Sequence, residues 1–316
     1  MTALGRFMRS ASLVLGTGYV LCFFSETVFW ALWRPDEEAH GRVLQWLLYA
    51  LMGYLTLAVI RHCRVGDAWS LLLAGAFFGW IGEGVFAMTV FGDASMPFPL
   101  TIAWTALAWH GPISLVIGWY ALGLALRART SGRVVGLSLG LGVFWGVWAF
   151  GWLAETPPVL AEPAIFLLHA GITTACLGVA HLAISWGRPA DFAPSRIGLG
   201  LASTAVLAFF VLFTVPTVPV APVVLLPLLG LLAVALRRHR AVQHADSLLS
   251  SLAPPIRRRN LVALALMPLT ATAIYALACA ALPPLAAVHL LLAAATSLIG
   301  TALFCIAVVK AIRQRA

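Results

Sequence analysis

Ten apolar runs, each close to the length needed to cross a bilayer, limit what this chain can fold into more than any other feature. A transmembrane helix needs about 20 mostly apolar residues. The runs fall at roughly 12–33, 43–60, 68–91, 99–126, 134–153, 163–186, 197–215, 220–236, 261–281 and 285–309, separated by short basic, polar or proline-rich breaks. Only 10% of the 316 residues are charged and 62% are apolar, whereas soluble domains carry roughly 25% charged and 45–50% apolar residues. The pattern predicts an all-α fold, a polytopic integral membrane bundle of about ten transmembrane helices.

The basic residues set an orientation, because cytoplasmic loops accumulate Lys and Arg. With a cytoplasmic N-terminus, 18 of the 20 Lys and Arg residues lie on one side, from Arg6 and Arg9 to Lys310, Arg313 and Arg315. Only Arg34 and Arg42 lie on the other. Both termini are therefore expected in the cytoplasm, with the protein multi-pass in the cytoplasmic (inner) membrane. The net charge of +9 does not point to nucleic acid, because the cations sit at helix ends rather than on one module. Anionic headgroups explain them, and membrane lipids are the expected partners. The five cysteines include no CxxC pair, so no disulfide framework is expected.

All 12 tryptophans lie between Trp30 and Trp186. The chain divides by composition into a Trp-rich six-helix half, 1–190, and an apolar four-helix half, 191–316, with the break at Gly187–Asp191. In the second half the basic loop 237–259 carries an apolar stripe of Leu248, Leu249 and Leu252, expected to lie on the cytoplasmic membrane surface. His239 and His244 are expected to be solvated there.

The centre of the first half is Phe78-Gly79-Trp80-Ile81-Gly82-Glu83-Gly84. A central acidic residue costs roughly 2.5–3.5 kcal/mol on insertion scales, so Glu83 should face protein or a wet cavity. Trp80 and Phe86 share its helix face at i−3 and i+3. Glu26 lies in a related segment, Phe23–Trp30, and Glu155 in Gly151–Thr156. The fourth run brings Trp109, His110 and Ser114, with Pro112 expected to kink the helix. In the sixth run His169 and Thr173 repeat the His-x-x-x-Ser/Thr spacing, where a hydroxyl one turn on can fix an imidazole tautomer. These residues suggest a repeated hairpin, an odd helix supplying Glu and the next even helix supplying Tyr or His. The candidate pairs are Glu26 with the Tyr49 helix, Glu83 with the His110 helix and Glu155 with the His169 helix. Glu162, ahead of Pro163, reads as a solvated helix-start acid.

Glu83, Glu26, His110 and His169 are accordingly the candidate catalytic groups, and Trp80, Phe86, Trp109, Ser114 and Thr173 the candidate substrate contacts. Carboxylates and imidazoles together can donate and accept protons, and aromatic faces favour developing positive charge. The first functional expectation is an intramembrane enzyme using Glu/His acid–base chemistry on a hydrophobic, isoprenoid-like small molecule. The second is a ten-helix small-molecule transporter. The third is a haem- or quinone-binding membrane anchor. Metal binding is left open, since HExxH and dense Cys/His clusters are missing from the sequence while His and Glu from separate helices could converge, and no cofactor is assigned. Trp80-Ile81-Gly82-Glu83, Phe91-Gly92 and Pro97–Trp104 are similar to segments of membrane carotenoid hydratases. The likeness is confined to residues 80–104, lacks the tyrosine-containing insert associated with that family, and assigns no membership.

Overall fold

The computed structural model describes residues 2–34, 38–92, 96–154, 161–242, 247–283 and 287–313. Every regular element among them is helical. Ten helices are long and apolar enough to cross a membrane, numbered here α1 to α10: Leu4–Trp30, Ala39–His62, Ala68–Phe86, Leu100–Arg127, Gly132–Ala154, Pro163–Trp186, Arg196–Thr217, Ala221–Arg240, Arg258–Ala281 and Ala287–Arg313. The chain is thus an all-helical, multi-pass membrane protein.

Local chemistry fixes several helix ends. Asp67 caps α3 by accepting from the Ser70 amide at 2.8 Å, and Ser195 caps α7 by accepting from the Gly198 amide at 2.9 Å. Each side chain satisfies an amide that the first helical turn leaves without a partner. At the end of α4 the same problem arises for carbonyls. Buried Asn260 solves it, its Nδ2 lying 3.0–3.1 Å from the oxygens of Ala125, Leu126 and Ala128 while its Oδ1 accepts from the Ser131 hydroxyl at 2.8 Å.

The chain forms two compact units. The first comprises Met1–Tyr49, Gly118–Gly187 and Pro254–Ala294, and within it α5 packs on α9 and α1 on α6. The second comprises Ala50–Ile117, Arg188–Ala253 and Ala295–Ala316, and within it α3 packs on α8.

In the second unit α3 and α4 approach closely at a Gly-x-x-x-Gly face, the small-residue seam by which membrane helices meet. A β-carbon on Gly75 would lie 2.6 Å from the Gly111 Cα, and one on Gly79 would lie 2.8 Å from the Ala106 Cα. Glu83 follows Gly79 by four residues, so this seam delivers it to α4.

Three local expectations are corrected by packing. Leu249 and Leu252 are buried and the Leu248 amide donates to the Val65 carbonyl at 2.7 Å. The apolar stripe therefore folds onto the protein, where it removes more apolar surface from water than an interfacial position would. His239 is buried rather than solvated, with Nε2 3.2 Å from the Arg64 carbonyl oxygen. Pro112 lies not in an α-helix but in a π-helix, residues Ala106–Ala121 winding so around it. Proline has no N–H for the usual ladder, and the wider i→i+5 winding accommodates that loss. His244 lies outside the described residues.

Candidate functional site

Glu83 sits in a one-turn π segment, Gly82–Phe86, at the end of α3. Such segments interrupt the α ladder and recur at functional sites. The turn aims the carboxylate at α4, where His110 stands in the π-wound stretch. Glu83 Oε1 and His110 Nε2 share a hydrogen bond, and the Thr89 hydroxyl donates to Glu83 Oε2. Both carboxylate oxygens are therefore held, and the side chains are only 14% and 5% exposed for Glu83 and His110. Thr105 also faces the carboxylate.

The surroundings are aromatic and aliphatic. Phe78 meets the His110 ring edge-on at 5.5 Å, and Phe86 packs against Phe209 of α7 at 4.9 Å. Trp80 is buried, donating its indole N–H to the Ile102 carbonyl at 2.9 Å and packing on Phe304 of α10. Trp109 is buried against Trp104 at 6.5 Å, and Ser114 is fully buried. Gly84 leaves space that Leu225 of α8 fills, since a β-carbon there would lie 2.8 Å from the leucine Cδ1. The Thr214 hydroxyl of α7 donates to the Val85 carbonyl at 2.7 Å, satisfying an acceptor in the π turn. Glu83 is thus walled partly by α7, α8 and α10, helices whose sequences read only as apolar.

The second acid repeats the design in the first unit. Glu26 lies in the π segment Phe23–Thr27. The Tyr49 hydroxyl donates to its Oε1 at 2.5 Å and the Trp30 indole donates to its Oε2 at 3.0 Å. The Arg34 guanidinium lies over Trp30 and Trp152, 4.5 and 4.9 Å from their ring centroids. Beside them His289 packs against Trp148 and Trp152 at 4.1 and 4.4 Å, and its Nε2 donates to the Trp148 carbonyl at 2.8 Å.

The sequence carries this repeat as Glu26-Thr27-Val28-Phe29 and Glu83-Gly84-Val85-Phe86. Each acid is followed five residues later by a residue at φ of 62°, Ala31 and Met88. Thr89, Trp30 and Trp152 were not among the candidates from sequence. The shared Glu-x-Val-Phe string was the signal for the turn itself, but nothing in it names Thr89, which returns to Glu83 only because the chain reverses at Met88.

His169 and Thr173 lie in the first unit. The Thr173 hydroxyl donates to the His169 carbonyl at 2.8 Å rather than to the imidazole, the back-bonding usual for a helical threonine. It therefore does not fix that ring as the spacing suggested. His169 Nε2 is buried without a hydrogen bond, and its ring lies edge-on to Trp33 at 6.4 Å. Glu155 lies outside the described residues. Glu162 is exposed and makes no capping hydrogen bond.

Among the described residues no three His, Cys, Asp or Glu side chains gather as a metal-binding group. His110 has its Nε2 engaged by Glu83, so that nitrogen would have to leave the carboxylate to ligate haem. What the pair can do as it stands is pass a proton between a carboxyl and an imidazole. Compared with models of protein families, with curated proteins and with solved structures, the chain matches none.

Proposed function

We propose that the protein is an intramembrane enzyme in which Glu83 and His110 act as a coupled proton donor and acceptor toward a lipid-soluble, isoprenoid-like substrate. The supporting observation is the buried Glu83–His110 pair, its second carboxylate oxygen held by Thr89. A buried acid is costly unless it is paired, and an acid–imidazole pair in hydrogen-bond contact is the arrangement general acid–base catalysis requires. Phe78 against His110, with Trp80 and Phe86 one turn either side of Glu83, gives the pair an apolar, aromatic setting, and aromatic faces favour developing positive charge.

The Lys and Arg distribution supports a cytoplasmic-membrane location with both termini and the basic connection between α8 and α9 in the cytoplasm. A second reading, a ten-helix carrier of small molecules, draws support from the repeated Glu-x-Val-Phe turn of α1 and α3, since carriers are commonly built from internal repeats.

Comparison of lipid-soluble extracts from membranes holding wild type, Glu83→Gln or Glu162→Gln tests the first reading. Wild type and Glu162→Gln should form the same product, and Glu83→Gln should lose it while inserting normally. Undiminished product with Glu83→Gln would refute the assignment. A solute accumulated in vesicles, with no compound altered, would favour the carrier.

A further inference from the structure

The second unit contains another site, away from Glu83, at the opposite end of α3. A cleft of about 700 Å³ lies between the start of α3 and the last turns of α10. Its α10 wall is a single helical stripe. Ile306, Val309, Lys310 and Arg313 follow one another at i, i+3, i+4 and i+7 and so share a face; the two apolar residues come first and the two cations follow. Ile306 and Val309 are exposed, as lipid-facing side chains are.

Across the cleft stands Trp69, with the Lys310 ammonium 4.1 Å from its ring centroid. The acid that lines the cleft, Asp67, is occupied in starting α3, its Oδ1 accepting from both the amide and the hydroxyl of Ser70 at 2.8 and 3.0 Å. Neither Lys310 nor Arg313 has a carboxylate partner among the described residues. The cleft is therefore cationic at its polar end and apolar along its length. An indole marks the level where water meets hydrocarbon, the usual place of interfacial tryptophans.

We propose that this cleft binds one anionic phospholipid. Its phosphodiester lies between Lys310 and Arg313, and an acyl chain runs along Ile306 and Val309. A free phosphate would use only the cations and leave the apolar stripe without a role. A zwitterionic lipid would bring its own ammonium into a site that already holds two cations. Trp69 keeps the Lys310 side chain directed into the cleft through its ring face.

The test is native mass spectrometry of the full chain in detergent, titrated separately with phosphatidylglycerol and phosphatidylcholine of identical acyl chains. Wild type should hold phosphatidylglycerol roughly thirtyfold more tightly, as expected for two cations at a membrane surface. Lys310→Gln with Arg313→Gln should reduce that preference to about twofold or less, whereas Lys310→Arg should keep it. Both side chains are exposed, so the double variant should elute and fold as wild type does. Should it fail to fold, Arg313→Gln alone decides the matter, with the preference expected to fall to about fivefold and an unchanged preference overturning the proposal. Equal binding of the two lipids by wild type, or full preference in the double variant, would overturn the proposal. Displacement of the bound lipid by millimolar inorganic phosphate would also overturn it, assigning the site to free phosphate.

Discussion

Replacing Gly79 by alanine tests the seam that carries Glu83 to His110. The added β-carbon would lie 2.8 Å from the Ala106 Cα and 2.9 Å from both its Cβ and its carbonyl oxygen. These atoms belong to backbone or to the shortest of side chains, so no rotamer change can relieve the clash. Carbon atoms pack best at about 3.5–4.0 Å, so α3 and α4 must part by about 0.7 Å. Overpacking of this kind costs about 1–3 kcal/mol, and the better helix propensity of alanine returns about 0.5–1 kcal/mol. With the overpacking taken at its central value of about 2 kcal/mol, the net expectation is a loss of about 1–1.5 kcal/mol. Gly136→Ala supplies the control. Nothing lies within 4 Å of a β-carbon there, so only the propensity gain remains. Reversible unfolding in mixed micelles should move the two midpoints in opposite directions. Because Glu83 lies one turn beyond Gly79, the same displacement should also loosen the Glu83–His110 contact and lower turnover, where misplacement by about 1 Å can cost a hundredfold. A Gly79→Ala protein as stable as wild type would refute the close packing of these helices.

Asn260→Ala should destabilise by about 1–3 kcal/mol in the same unfolding assay, because the Ala128 carbonyl loses its donor, whereas the Ala125 and Leu126 carbonyls keep the amides of Ala128 and Arg257. Thr214→Val keeps the side-chain shape but leaves the Val85 carbonyl without its 2.7 Å hydrogen bond, for an expected loss of about 1–2 kcal/mol. Tyr49→Phe removes one donor from Glu26 and should cost about 1.5–3 kcal/mol, the range for hydrogen bonds to charged groups; an unchanged midpoint would mean the 2.5 Å contact contributes nothing. For topology, single cysteines in a cysteine-free background should be labelled from outside at Glu38 and protected at Ser250, and the reverse pattern would invert the assignment.

The ten helices were legible because hydrocarbon thickness imposes one length on every span, and the breaks between them are basic, polar or proline-rich. The meeting of Glu83 with His110, and of Glu26 with Tyr49, was legible for a related reason. A buried carboxylate needs a donor, and the following helix offers one. Thr89 was not legible, since it is brought back by a chain reversal at Met88 that no helical period encodes. The part played by α7, α8 and α10 around Glu83 was hidden as well. Leu225, Phe209 and Phe304 face protein, but in a membrane helix the same residue types face lipid equally well, so apolar pattern alone does not separate the two faces. His239 and the Leu248–Leu252 stretch looked like solvated or membrane-surface loop because their neighbours are basic. Their burial depends on the α2–α3 connection, through Arg64 and Val65, and that contact is invisible to local sequence.

The most direct test of the central claim is deuterium transfer. The purified protein, reconstituted in vesicles with the lipid extract of its native membrane and incubated in heavy water, would be followed by high-resolution mass spectrometry of the lipid-soluble fraction. An acid–base enzyme acting at carbon must pass solvent-derived deuterons to its substrate. Wild type should enrich one compound in non-exchangeable deuterium, and Glu83→Gln and His110→Gln should each return it to background. No enrichment with wild type, or enrichment equal to wild type in the Glu83→Gln protein, would contradict the assignment of Glu83 and His110 as the proton-transferring pair.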